Sequence, residues 1–101
     1  MRIIVFFDLP IKTLEDKRVY GRFRKHLLKS GFMMLQESVY CKLALNAVAA
    51  AAVMRNINEN SPDRGLVQLL TVTEKQYANM QLIVGAAHDE VVNSSERLVV
   101  L

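Results

Sequence analysis

The order of apolar runs along this chain of 101 residues predicts an α+β fold. The arrangement is ferredoxin-like, βαββαβ, with two helices on one face of an antiparallel sheet. Three observations carry the prediction. The chain opens on a branched and aromatic run, RIIVFFD; a segment of helical periodicity follows; and a second strand-helix-strand series begins after Gly31. The length suits one domain and is too short for two independent cores.

Each element follows from its residues. Residues 2 to 7 favour β structure and are apolar on both faces, as a central strand requires. Pro10 ends that strand, and Thr13 is placed to cap a helix, with Glu15 and Asp16 in its first turn. The helix is expected to run to about Ser30, with Gly31 in the left-handed position just beyond it. MMLQESVYCKLAL, from Met33 to Leu45, reads as two short strands or one long bent one, with no strong turn signal dividing it. Asn46 can cap a second helix, NAVAAAAVMRNINEN, which Ser61-Pro62 stops. A strand from about Leu66 to Thr73 follows, then one or two helical turns in EKQYANM and a short strand, LIVG. Residues 1 to 85 are thus taken as the ferredoxin-like domain. Residues 86 to 101 read as a polar linker and a terminal strand, RLVVL, expected to add to the edge of a partner's sheet.

Composition narrows the classes. Apolar residues make up 51% and charged ones 23%, the balance of a soluble globular domain. No apolar run approaches the roughly 20 residues that cross a bilayer, and the N-terminus enters strand-like sequence directly, so no membrane partner and a cytoplasmic setting are expected. Cys41 is alone and reads as a small buried hydrophobe. Neither His26 nor His88 has another ligand at zinc spacing. Phosphate-binding glycine loops, catalytic triads and the aromatic motifs of RNA-recognition modules are missing.

Charge is distributed unevenly. The net charge is only +3, yet six of the thirteen Lys and Arg lie between Lys17 and Lys29. Arg18, Arg22, Lys25 and Lys29 recur every three or four residues and form one stripe along the helix, opposite Val19, Tyr20, Phe23 and Leu27. The stripe is either a solvated outer face or a track for a phosphate backbone. It lacks interleaved acids, because Glu15 and Asp16 both stand at its N-terminal end, and this favours the second reading. Lys12, in the turn before the helix, is counted with it.

Asp8 closes the first strand. It can accept backbone hydrogen bonds in the following turn or pair with Lys12. A lone carboxylate seldom holds a divalent cation, which takes about six oxygen ligands. In a two-fold dimer whose strand ends meet, however, two copies of Asp8 would either share a proton or recruit a cation.

IIVFFDLP, YGRFRKHLLKSGF, QESVYCKLAL and GLVQLLTVTEKQY, in this order and spacing, resemble the Cas-two family, the small CRISPR adaptation protein, in the form found beside single-effector type II systems. The resemblance extends to the terminal ERLVVL. It implies a ferredoxin-like homodimer whose C-terminal strand reaches the other protomer. It also implies action with the CRISPR integrase, Cas-one, to capture short duplex DNA as a new spacer. Asp8 matches the family's acidic residue at the end of the first strand. The resemblance makes it a catalytic ligand to magnesium, or manganese, at the dimer interface, for endonuclease cleavage of single-stranded RNA or of duplex DNA. Other members resemble purely non-catalytic scaffolds of the integration complex. Phe7 replaces the commoner Tyr before the acid, and Leu9-Pro10 follows where other members offer a polar or acidic residue. Cleavage here would therefore rest on the metal, with Asp8 only as ligand. A regulatory ferredoxin-like module without a nucleic-acid role is the remaining alternative, and the basic stripe argues against it.

Overall fold

A computed structural model describes residues 1–85. In chain order the elements are β1 (Arg2–Asp8), α1 (Leu14–Lys29), β2 (Met33–Gln36), β3 (Val39–Leu43), α2 (Ala47–Asn60), β4 (Leu66–Val72) and α3 (Glu74–Ala78). The strands form one sheet in the order β2-β3-β1-β4, and each neighbouring pair is antiparallel. This is the expected ferredoxin-like topology.

β1 is central, flanked by β3 and β4, and so can be apolar on both sides. Its odd-numbered residues Ile3, Val5 and Phe7 join Leu9, Tyr40, Phe23 and Leu27 of α1 and Ala50 and Ile57 of α2 in a single core. Phe7 is the hub of its aromatic part. Its ring meets Phe23 edge-on at 5.2 Å, Tyr40 at 5.6 Å and Tyr20 at 5.7 Å. The residue that precedes Asp8 is thus fixed from three sides.

Both long helices begin and end where their caps dictate. The Thr13 hydroxyl accepts from the Asp16 N–H at 3.0 Å, and the Asp16 carboxylate accepts in return from the Thr13 N–H at 3.2 Å. That reciprocal pair is a capping box. At the other end Gly31 takes φ 93°. The Phe32 N–H bonds to the Leu27 carbonyl at 3.0 Å and the Gly31 N–H to that of Leu28 at 3.2 Å, which together make a Schellman cap. Lys42 adds a cation there, its Nζ donating to the Ser30 carbonyl at 2.7 Å. The Asn46 side chain caps α2, accepting from the Ala49 N–H at 2.8 Å.

Two sequence readings are refined. Met33 to Leu45 is two strands, joined by a turn at Glu37 and Ser38, where Ser38 adopts φ 67°. LIVG is not a strand. Leu82, Ile83 and Val84 are 78%, 82% and 90% exposed, and among the described residues no strand lies beside them to supply the ladder that would define one. RLVVL, the linker and His88 lie outside the described residues. None of the described helices is long and apolar enough to cross a membrane.

Candidate metal and nucleic-acid site

Asp8 owes its position to the pleat of β1. Because side chains alternate, Arg2, Ile4, Phe6 and Asp8 point away from α1 and α2, onto a sheet face that α3 borders only at the Arg2 end. Asp8 is exposed, opposite Leu66 of β4 in the ladder. Its carboxylate has neither a hydrogen-bond nor an ion-pair partner among the described residues. The two structural roles open to it in the sequence, turn cap and partner of Lys12, are therefore not realised. Asp16 caps the turn instead, and Lys12 is exposed and unpaired among the described residues.

The backbone around Asp8 is tightly held. Gly65, at φ 83°, approaches so closely that a Cβ there would lie 2.8 Å from the Asp8 carbonyl oxygen. The neighbouring Arg64 Nη1 bonds to the Asp16 carboxylate at 3.0 Å, pinning the loop before β4 to the start of α1. On the other side the Phe7 N–H bonds to the Ser38 carbonyl at 3.1 Å. Asp8 borders a cavity of about 170 Å³ with apolar walls from Phe6, Val39 and Leu66 and two further polar side chains, Ser38 and Gln68. Ser38, Gly65 and Gln68 were not singled out in the sequence. Gln68 had a signal, as a polar residue on the outward face of LVQLLTV; Ser38 and Gly65 matter through backbone conformation, which had none.

The described residues of one chain do not assemble a metal site by themselves. No group of three His, Cys, Asp or Glu close enough to hold an ion occurs among the described residues. A free carboxylate with a hydroxyl and an amide nearby does match the hard oxygen chemistry of magnesium, which is commonly held by one or two carboxylates plus water. A second copy of Asp8 would bring the count to two.

The basic stripe lies as expected on the outer face of α1, with Arg18, Arg22, Lys25 and Lys29 all exposed. Phe23 and Leu27 are buried opposite them. Its compensation differs from the sequence reading. Glu15 reaches along the helix to within 3.9 Å of both Arg18 and Arg22, so half of the stripe has an acid nearby. All three side chains are more than 60% exposed, and such pairs are weak and screened by salt. Lys25 and Lys29 have no ion-pair partner among the described residues. His26 hydrogen-bonds through Nε2 to Asn56 Oδ1 at 2.8 Å, joining α1 to α2. The structure brings Asp8 and the stripe to no common surface patch: one belongs to the sheet face, the other to the helix layer.

Comparison with known proteins decides the family. The family model for CRISPR associated protein Cas2 matches residues 1–80. The chain belongs to the Cas2 family. It is 54% identical to the CRISPR-associated endoribonuclease Cas2 of Treponema denticola over 101 residues, which is 100% of both chains. Identity to the protein of the same name in Streptococcus mutans is 48% over 100% of this chain and 93% of that one. For Ligilactobacillus salivarius it is 42%, with 100% of each chain covered.

At the far end of the open face this Cas2 chain carries a second polar cluster. Arg2 Nε bonds to both Glu74 oxygens, at 2.9 and 3.2 Å, while Arg2 Nη1 lies 3.6 Å from Cys41 Sγ. The guanidinium sits over the Tyr77 ring, 4.4 Å from its centre. The bond to Glu74 pushes the Arg2 pKa up, and burial raises that of Tyr77. Cys41 is fully buried, as its apolar surroundings in the sequence imply. The cluster fastens α3 to the sheet and engages Glu74, whereas Asp8 has no such partner among the described residues.

Proposed function

We propose that this Cas2 chain serves CRISPR spacer acquisition as a homodimer, binding duplex DNA beside the CRISPR integrase, Cas-one. In this reading the paired Asp8 carboxylates hold magnesium, or manganese, for cleavage of a phosphodiester bond in RNA or DNA. The observation that carries it is a carboxylate at the end of the central strand that has no partner among the described residues, on a sheet face that also exposes leucines and a methionine.

The dimer is supported by that face. Leu66, Leu70, Leu43 and Met33 share it and are 52%, 50%, 55% and 57% exposed, more apolar surface than an isolated domain keeps without a partner. A two-fold copy stacked there would cover them and bring its own Asp8 toward the first. The bound ion would supply Lewis-acid stabilisation of phosphate charge and a more acidic water. Asp8 acts as ligand alone, because among the described residues no base hydrogen-bonds to its exposed carboxylate to relay a proton. Phe7, Gly65 and Ser38 hold its backbone in place, which limits the reorganisation needed for binding. The endoribonuclease names of the relatives support the same activity.

A scaffold without cleavage is the second reading, favoured by the exposed stripe of α1. In a dimer it occurs twice and suits sequence-independent contact with phosphates.

The test uses purified protein and its Asp8→Ala variant, with duplex DNA and single-stranded RNA, in magnesium and in chelator, and with spacer integration measured alongside. Cleavage is expected in magnesium only and lost in Asp8→Ala while the dimer persists. Unchanged cleavage in the variant rejects Asp8 as the ligand. Integration that survives without any cleavage selects the scaffold.

A further inference from the structure

Gly31 and Gly65 need glycine for their positive φ, 93° and 83°. Gly21 has no such reason. It lies in the middle of α1, exposed, and a Cβ added there would meet no atom within 4 Å. Glycine at an exposed helix interior lowers stability relative to alanine, because more backbone freedom is lost on folding. Among the described residues nothing packs closely enough on Gly21 to require it. The requirement points outward, to a group that approaches the helix backbone more closely than a side chain would allow.

The neighbours of Gly21 on the helix surface say what that group is. Positions three and four residues away surround it at about 5–6 Å. Those positions are Lys17, Arg18, Arg24 and Lys25, and all of them are exposed. Lys17, Arg24 and Lys25 have no ion-pair partner among the described residues, and Arg18 has only the weak contact with Glu15 at 3.9 Å. Lys17 and Arg24 stand outside the stripe of Arg18, Arg22, Lys25 and Lys29, with Gly21 between them and it. A bare stretch of helix is thus ringed by cations with long, adaptable side chains. A second copy of this surface would be repelled by like charge, whereas a phosphodiester is attracted, and the more strongly the nearer it comes. A side chain at position 21 would hold it off.

We propose that Gly21 is the floor of a phosphate seat on α1, where one phosphodiester of a duplex DNA strand rests against the helix backbone and is held by Lys17, Arg18, Arg24 and Lys25. The proposal rests on the reading of this chain as a duplex-binding subunit, and is independent of Asp8 and of cleavage.

The experiment measures affinity of the full chain for a short duplex DNA across a salt series, with thermal unfolding and sedimentation alongside. Gly21→Ala should raise the unfolding midpoint by about 4–8 °C, since the site is open and alanine favours the helix, and should nevertheless weaken duplex binding. Gly21→Leu should weaken it by about tenfold, the scale of one hydrogen bond to a charged group, and lower the log–log salt slope by about 0.9, the value of one phosphate contact. Lys17→Gln combined with Arg24→Gln should have a similar effect, and adding it to Gly21→Leu should cost little more, as for groups that serve one contact. A folded Gly21→Leu protein that binds like wild type with the same slope overturns the proposal, and if its self-association falls instead, the glycine serves a contact between copies. A lowered midpoint in Gly21→Ala also overturns it, because the glycine then serves the fold. Fully additive losses overturn the ring and leave Lys17 and Arg24 as separate contacts. Failure of the duplex reading looks different: wild type itself then shows no salt-dependent binding, and the proposal falls with it.

Discussion

Asp8 and Asp16 have opposite surroundings, and the contrast explains which carboxylate is structural. Asp16 is buried, and its pKa is held below the ordinary carboxylate range. The Thr13 backbone N–H is the main cause, acting against burial, with the Thr13 hydroxyl and the Arg64 guanidinium adding to it. A carboxylate with a depressed folded pKa stabilises the fold above its unfolded pKa, about 3.9, and that contribution is lost as pH falls through the folded value. Asp16→Asn should therefore lower the unfolding midpoint at pH 7, and the gap from wild type should close only below about pH 4. A gap that stays constant into strong acid would show that the charge is irrelevant. Gly65 is the other decisive residue. Its φ of 83° and the 2.8 Å separation from the Asp8 carbonyl leave no room for a methyl group. Gly65→Ala should destabilise by about 1–3 kcal/mol in urea denaturation, because a backbone oxygen must move. It should also weaken metal-dependent cleavage more than nucleic-acid binding, since the displaced atom belongs to Asp8.

At the level of elements, α1 joins a structural face to a charged one. Glu15 is close enough to temper Arg18 and Arg22 while leaving Lys25 and Lys29 alone. Glu15→Gln should thus tighten duplex binding several-fold at low salt, with the difference fading as salt rises. Lys25→Gln combined with Lys29→Gln should lower the log–log salt slope by about 0.9 for each phosphate contact removed. An unaltered slope would remove the stripe from the DNA surface. The boundaries of α1 and α2 were legible because their signals are local: Thr13, Gly31, Asn46 and Ser61 each act within one turn of the helix end. The β2–β3 turn was not, since Glu37-Ser38 lacks the usual turn residues and its geometry comes from the distant Phe7 N–H. LIVG failed as a strand for a related reason: β propensity within a segment does not supply the neighbour that a strand needs. Glu15 was misjudged because proximity in sequence to the helix start concealed its reach along the surface. The isolation of Asp8 was equally illegible, as a cap, an ion pair and an empty carboxylate share one sequence.

For the whole molecule the question is whether, in the proposed homodimer, the two Asp8 copies would work together. Among the described residues Asp8 is a carboxylate without a partner on a sheet face lined with exposed leucines, and a two-fold copy on that face would supply both cover and a second ligand. If the ion is shared, an Asp8→Ala subunit disables the dimer it enters, not merely its own half. Equal amounts of wild-type and Asp8→Ala chains, unfolded together and refolded so that subunits mix at random, would then leave roughly a quarter of the dimers with both carboxylates. Magnesium-dependent cleavage should fall to that fraction. Two independent sites would instead leave about half, because each wild-type subunit would keep its own activity. Leu70→Asp provides the complementary arm. If the proposed dimer forms through this face, a charge there should release monomers in sedimentation and abolish the proposed cleavage although Asp8 is intact. Cleavage by a proven monomer would place the whole site within one chain and overturn the proposal that two Asp8 copies share the ion.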